Sequence, residues 1–78
     1  MANPAWEEIA KIYLRYQGRV YRIKIFPKFV GVERQPGGPN RLYEAITEPI
    51  ADVVYDPNTL VWDYAALARL IDHYEGQE

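Results

Sequence analysis

In the stretch GRVYRIKIFPKF, residues 18–29, Arg22 and Lys24 alternate with apolar side chains and are followed by Phe26 and Phe29. Cations interleaved with aromatic rings are what a surface needs to hold a single strand of DNA or RNA. The rings stack on bases and the charges follow the phosphates. Arg19, Lys28, Arg34, Arg41 and Tyr43 would extend such a surface over neighbouring strands. The same pattern also describes an ordinary solvated strand face, with Glu33 and Glu44 pairing the cations across strands. A pI of about 5.3 and the lack of a glycine-aromatic run of the RNA-recognition type weigh toward that second description.

Carboxylates dominate the rest of the chain. Residues 1–41 hold eight of the nine Lys and Arg against three acids, a net charge of +5, and residues 42–78 hold one against eight, a net charge of −7. Glu44, Glu48, Asp52, Asp56 and Asp63 would form a negative strip able to attract a basic protein surface, or they serve solubility and neutralise the basic half once folded. Trp62 is the other contact candidate. If the last helix begins before it, the indole lies off the apolar stripe beside Arg69 and His73, the usual make-up of an interface hot spot. If the helix begins only at Asp63, residues 60–62 are extended and the indole packs into the core. The loop QPGGPN, residues 35–40, is a connector that could also carry recognition.

Catalytic chemistry finds little support. The chain has no cysteine and no serine, and Thr47 and Thr59 have no histidine and carboxylate near them in sequence. The single histidine, His73, stands near a helix end, where it complements the dipole. Gly37 and Gly38 run into proline instead of a helix start, so they are no phosphate loop. Asp52 and Asp56 lack the glycine and alternating oxygens of a calcium loop. Neither an enzyme, a cofactor nor a metal is expected.

The elements that must position these residues follow from periodicity. Asn3 and Pro4 read as a cap and first residue of a helix, with Trp6, Ile9, Ala10, Tyr13 and Tyr16 as its apolar stripe and Gly18 as its stop. From Val20 to Phe26 the period changes to two, burying Tyr21, Ile23 and Ile25. Phe29–Arg34, Leu42–Thr47 and Ile50–Tyr55 read as further strands, and Leu60, Tyr64, Leu67, Ile71 and Tyr74 as the stripe of a closing helix. The expectation is one α+β domain over residues 1–78: an N-terminal helix, an antiparallel sheet of three to four strands and a C-terminal helix.

With no disulfide, no signal-peptide pattern and no apolar run of transmembrane length, a cytoplasmic protein without a membrane partner is expected. Charge polarity and the Tyr, Trp and Arg contacts suggest a non-catalytic protein-binding module, a regulator or inhibitor that occupies a partner's surface. Small standalone chains of this kind are common among phage and mobile-element proteins that block host machinery, an analogy of size and composition. The alternatives are a single-stranded nucleic-acid binder using the basic-aromatic strands and a subunit of a homo-oligomer.

Overall fold

Two-residue periodicity governs more of the chain than the stretch from Val20 to Phe26. Ala10, Ile12, Leu14 and Tyr16 alternate with Lys11, Tyr13 and Arg15, and in the computed structural model, which describes residues 6–45, 47 and 54–76, they form strand β1 (Ala10–Tyr16). It is followed by β2 (Arg19–Ile25), β3 (Phe29–Gln35), β4 (Asn40–Glu44), β5 (Tyr55–Asp56), β6 (Val61–Trp62) and α1 (Tyr64–Glu75). The first four strands make one antiparallel sheet in the order β1-β2-β3-β4, and β5 and β6 form a separate hairpin.

The expected N-terminal helix is therefore corrected. Its stripe residues from Ala10 to Tyr16 are strand, and its proposed cap at Asn3 and Pro4 lies outside the described residues. The deciding local feature is the turn. Gln17 at φ 51° and Gly18 at φ 77° are the central pair of a two-residue hairpin, because Tyr16 and Arg19 are register partners. Positive φ at both central positions matches the right-handed twist of flanking strands. Gly18 thus reverses the chain where a helix stop was expected. Pairing with β2 then satisfies the backbone of residues 10–16, and Ile12 and Leu14 pack against the core.

Register sets the two faces of the sheet. Ile12, Ile23 and Val32 fall in one row, and Ala10, Ile25, Val30 and Tyr43 in the next, so this face is apolar and carries α1. From the helix come Ala66, Leu67, Leu70, Ile71 and Tyr74, all buried. Asp63 begins it: its backbone is extended and its side chain accepts from the Ala66 amide at 3.0 Å. Leu60 and Tyr64, expected on the helical stripe, are instead 73% and 59% exposed, Leu60 lying in the preceding turn. Of the strand expected over Ile50–Tyr55 only Val54 and Tyr55 are described, with Tyr55 beginning β5, and β4 ends at Glu44, short of Thr47.

The C-terminal turn of α1 is tied to the sheet by polar contacts. The Tyr74 hydroxyl accepts from the Arg34 amide at 3.0 Å and donates to the Pro39 carbonyl at 2.5 Å. Glu75 receives the Tyr21 hydroxyl, the Arg19 guanidinium at 3.1 Å and the Arg34 guanidinium at 2.6 Å. The Tyr21 hydrogen bond foremost, with the two arginines, holds the Glu75 carboxyl below the ordinary carboxylate value of 4.5, although partial burial works the other way.

A folded value below the unfolded one means that the contribution is fully present above the ordinary glutamate range. It is lost as pH falls through the folded value. Thermal melts followed by circular dichroism should therefore show the unfolding midpoint dropping between about pH 5 and pH 3, and dropping less steeply in Glu75→Gln. Identical profiles for the two proteins would mean that Glu75 does not anchor the helix.

Candidate functional site

Among the described residues no α-helix covers the opposite face of the sheet. Alternation puts Lys11, Tyr13 and Arg15 of β1 on it, then Val20, Arg22 and Lys24 of β2, Gly31 and Glu33 of β3, and Asn40 and Leu42 of β4. Cross-strand register places Lys11 beside Lys24, Tyr13 beside Arg22, Arg22 beside Glu33, and Gly31 beside Leu42. The result is a surface of four cations, with aromatic and aliphatic groups between them.

Its upper end is aromatic. Trp6 stacks on Phe29 with ring centroids 5.1 Å apart and planes 9° from parallel, and meets Phe26 edge to face at 5.8 Å. Offset-stacked and edge-to-face pairs are the favoured arrangements of aromatic quadrupoles. Both Trp6 and Tyr13 remain about half exposed, at 48% and 58%, and so present open ring surface to solvent. The Lys11 ammonium stands 5.8 Å from the Tyr13 ring centroid, within cation-π range.

Charge on this face is partly balanced. Arg22 Nη2 lies 3.0 Å from Glu33 Oε1, and Glu33 also accepts from the Gln35 amide. Lys24 Nζ lies 3.8 Å from Glu8 Oε1, a looser pair between side chains that are both about a third or more exposed. Such exposed pairs contribute roughly 0–1 kcal/mol, so a polyanion can compete for the cations. Among the described residues Lys11 and Arg15 have no carboxylate within ion-pair distance.

Between Trp6, Phe26 and Leu42 the face sinks into a depression of about 200 Å³, rimmed by Arg22, Lys24, Glu33 and Asn40. Gly31 is its floor. A Cβ there would meet Leu42 Cδ2 at 3.3 Å and Phe26 Cε2 at 3.7 Å. A glycine within a strand weakens it, and it recurs where a ligand or another backbone must come close.

Of the residues expected to bind nucleic acid, the fold gathers Arg22, Lys24, Phe26 and Phe29 on this face, and Lys28 is exposed in the adjoining β2–β3 turn. It separates the others. Arg34 and the buried Tyr43 face α1, and Arg19 is paired with Glu75 at the far edge. Arg41 stands opposite Val32 on the same helix-covered side. Residues not anticipated as part of the surface are Trp6, Lys11, Tyr13 and Arg15. Their signal was the alternation of residues 10–16, which a helical reading of the same residues conceals.

The described residues expected to bind a protein are distributed over the end of β4, the β5–β6 hairpin and α1. Trp62 precedes the helix in β6 and rests half-buried on Tyr55, with centroids 4.5 Å apart, which is the arrangement in which Asp63 caps the helix. Arg69 is exposed on α1, whereas His73 is half-buried beside the Tyr43 ring at 5.5 Å. Glu44 ends β4 opposite Phe29, and Asp56 accepts from the Asn58 amide in the β5–β6 turn. Glu48 and Asp52 lie outside the described residues.

Among the described residues no three His, Asp or Glu side chains come together as a metal site, and no helix is long and apolar enough to cross a membrane. No protein-family model matches the chain, and neither a curated protein nor a solved structure matches it.

Proposed function

We propose that this protein is a non-catalytic binding module whose working surface is the open face of the four-stranded sheet, and that its ligand is single-stranded DNA or RNA. The observation that carries this reading is the juxtaposition on one face of half-exposed Trp6 and Tyr13 with the cations Lys11 and Arg15, which no carboxylate among the described residues pairs. Bases stack on such rings in a sequence-tolerant way, each worth roughly 1–3 kcal/mol, while the cations exchange counterions for phosphates. A duplex would hide the base faces that the rings require, so the single strand is the fitting form.

The test is a titration of fluorescent oligonucleotides, single-stranded and duplex, at several salt concentrations. Binding should be tighter to the single strand and weaken steadily with salt, with a logarithmic slope of about −0.7 per phosphate contact. In Trp62→Phe, which leaves Trp6 as the sole indole, stacking should quench the fluorescence. No binding at low salt would remove this reading.

A protein partner is then the second reading, that of a regulator or inhibitor, and it has its own support. Leu60, Val61 and Tyr64 are exposed apolar residues close together in the chain, with Asp56 and Asp63 near them in sequence, and Leu60 holds a left-handed φ of 59°. Leu60→Asp would abolish capture of such a partner. Unchanged capture would count against that surface.

A further inference from the structure

We propose that β1 is a dimerisation edge, which pairs with β1 of a second copy of this chain when a single-stranded nucleic acid lies across the joint; this rests on the single-strand reading of the open face. The backbone argues for the edge. The Phe26 amide donates to the Phe29 carbonyl across the β2–β3 turn, so Phe26, Lys24, Arg22 and Val20 direct their backbone groups to β3. Tyr21, Ile23 and Ile25 then direct theirs to β1, where their register partners are Leu14, Ile12 and Ala10. The N–H and C=O groups of Lys11, Tyr13 and Arg15 are left pointing away from the sheet, and among the described residues no strand lies beyond them.

The residues of the edge argue for a second copy. Lys11, Ile12, Tyr13, Leu14 and Arg15 read cation, aliphatic, aromatic, aliphatic, cation, the same by class in both directions. An antiparallel pair centred on Tyr13 therefore sets Tyr13 against Tyr13, Ile12 against Leu14 and Lys11 against Arg15, as a two-fold interface requires. Tyr13 and the two cations would exchange hydrogen bonds through the backbone groups that now point outward. On the helix side Ile12 and Leu14 are only half-buried, and the added strand would cover apolar surface that α1 leaves open.

Charge sets the condition. Lys11 opposite Arg15 places a pair of cations on each side of the two-fold axis, and Lys24 stands beside Lys11. Like charges directly opposite one another destabilise a strand pair, so these cations hold two free copies apart. The phosphates of a single strand lying over the joint would offset that repulsion, and the two open faces would become one continuous surface.

Sedimentation equilibrium reads the mass. The wild-type protein alone should sediment as one chain. With an oligothymidylate of roughly 16 nucleotides in molar excess, chains that bind independently are spread one to a strand, whereas paired chains stay two to a strand, and two are expected. Lys11→Glu should need no nucleic acid: each introduced carboxylate faces Arg15 of the other copy, so the mass of the free variant should double. Lys11→Glu combined with Arg15→Glu restores like charges and should return the protein to one chain. Arg15→Ala and Arg15→Pro lose the same cation, but only proline loses the outward N–H, so the alanine variant should stay two to a strand and the proline variant one. Thermal melts check that each variant is folded.

One wild-type chain per strand, a Lys11→Glu variant that remains a single chain, or equal behaviour of the alanine and proline variants would overturn the edge pairing while leaving the single-strand reading standing. Absence of binding to the oligonucleotide at low salt would overturn both.

Discussion

Replacing Tyr74 by alanine should lower the free energy of unfolding by about 3–5 kcal/mol, the cost of emptying a buried aromatic site. The ring is 1% exposed, meets Tyr21 edge to face at 6.0 Å, and its hydroxyl joins the Arg34 amide to the Pro39 carbonyl. It therefore ties the last turn of α1 to the third strand and to the loop before the fourth. A domain of this size has a stability of roughly 4–12 kcal/mol, so the variant should sit near the edge of folding. Tyr74→Phe isolates the hydroxyl. It keeps the ring packing but leaves a donor and an acceptor without their partner, at about 1–3 kcal/mol. Urea denaturation followed by circular dichroism reads both changes from the midpoint at constant slope. A loss below about 1 kcal/mol for the alanine variant would contradict the docking of α1 against the sheet.

The second large effect concerns binding. Reversing both Lys11 and Arg15 to glutamate should weaken single-strand affinity roughly 100-fold at low salt, about 1.4 kcal/mol for each reversed charge. The logarithmic salt slope should become shallower by about 1.4, two contacts at 0.7 each. Both side chains are exposed on an outer strand of the sheet, so the substitution leaves the core untouched. Arg69→Glu is the control. It makes the same change of charge as either single reversal on β1, but on α1, across the sheet from the proposed surface, and should alter affinity only a little. A loss from Arg69→Glu equal to that from Lys11→Glu or Arg15→Glu alone would mean that net charge, and not this face, governs binding. No loss from the β1 variant would exclude that strand from the contact.

Where the residue pattern was simple, the fold was legible. Tyr21, Ile23 and Ile25 are buried along β2, as alternation demands, because a strand with one solvated face has only one register that hides its apolar set. The glycine-proline loop lies between β3 and β4, although the strands take Gln35 and Asn40 from it. Residues 6–16 misled because Trp6, Ile9, Ala10, Tyr13 and Tyr16 satisfy a helical stripe while Ala10, Ile12, Leu14 and Tyr16 satisfy a strand. A short isolated helix is marginal in water, so long-range packing decides between such readings. At Trp62 the choice turned on where the helix begins, and Asp63 caps it through its bond to the Ala66 amide.

The candidate site divides along the same line. Sequence alone determined the polarity of charge, the absence of cysteine and serine, the basic-aromatic alternation of β2 and the place of Leu67, Ile71 and Tyr74 on the buried side of α1. Each of these is a property of residue types and local spacing. Only the tertiary structure brought Lys11 and Tyr13 beside Lys24 and Arg22, set Trp6 over Phe29, and turned Arg34 and Tyr43 to the covered side. It also made a depression of Gly31 by placing Leu42 next to it. Strand pairing joins residues far apart in the chain, and one register shift would exchange every side chain between the faces, so the surface exists only once the sheet has formed.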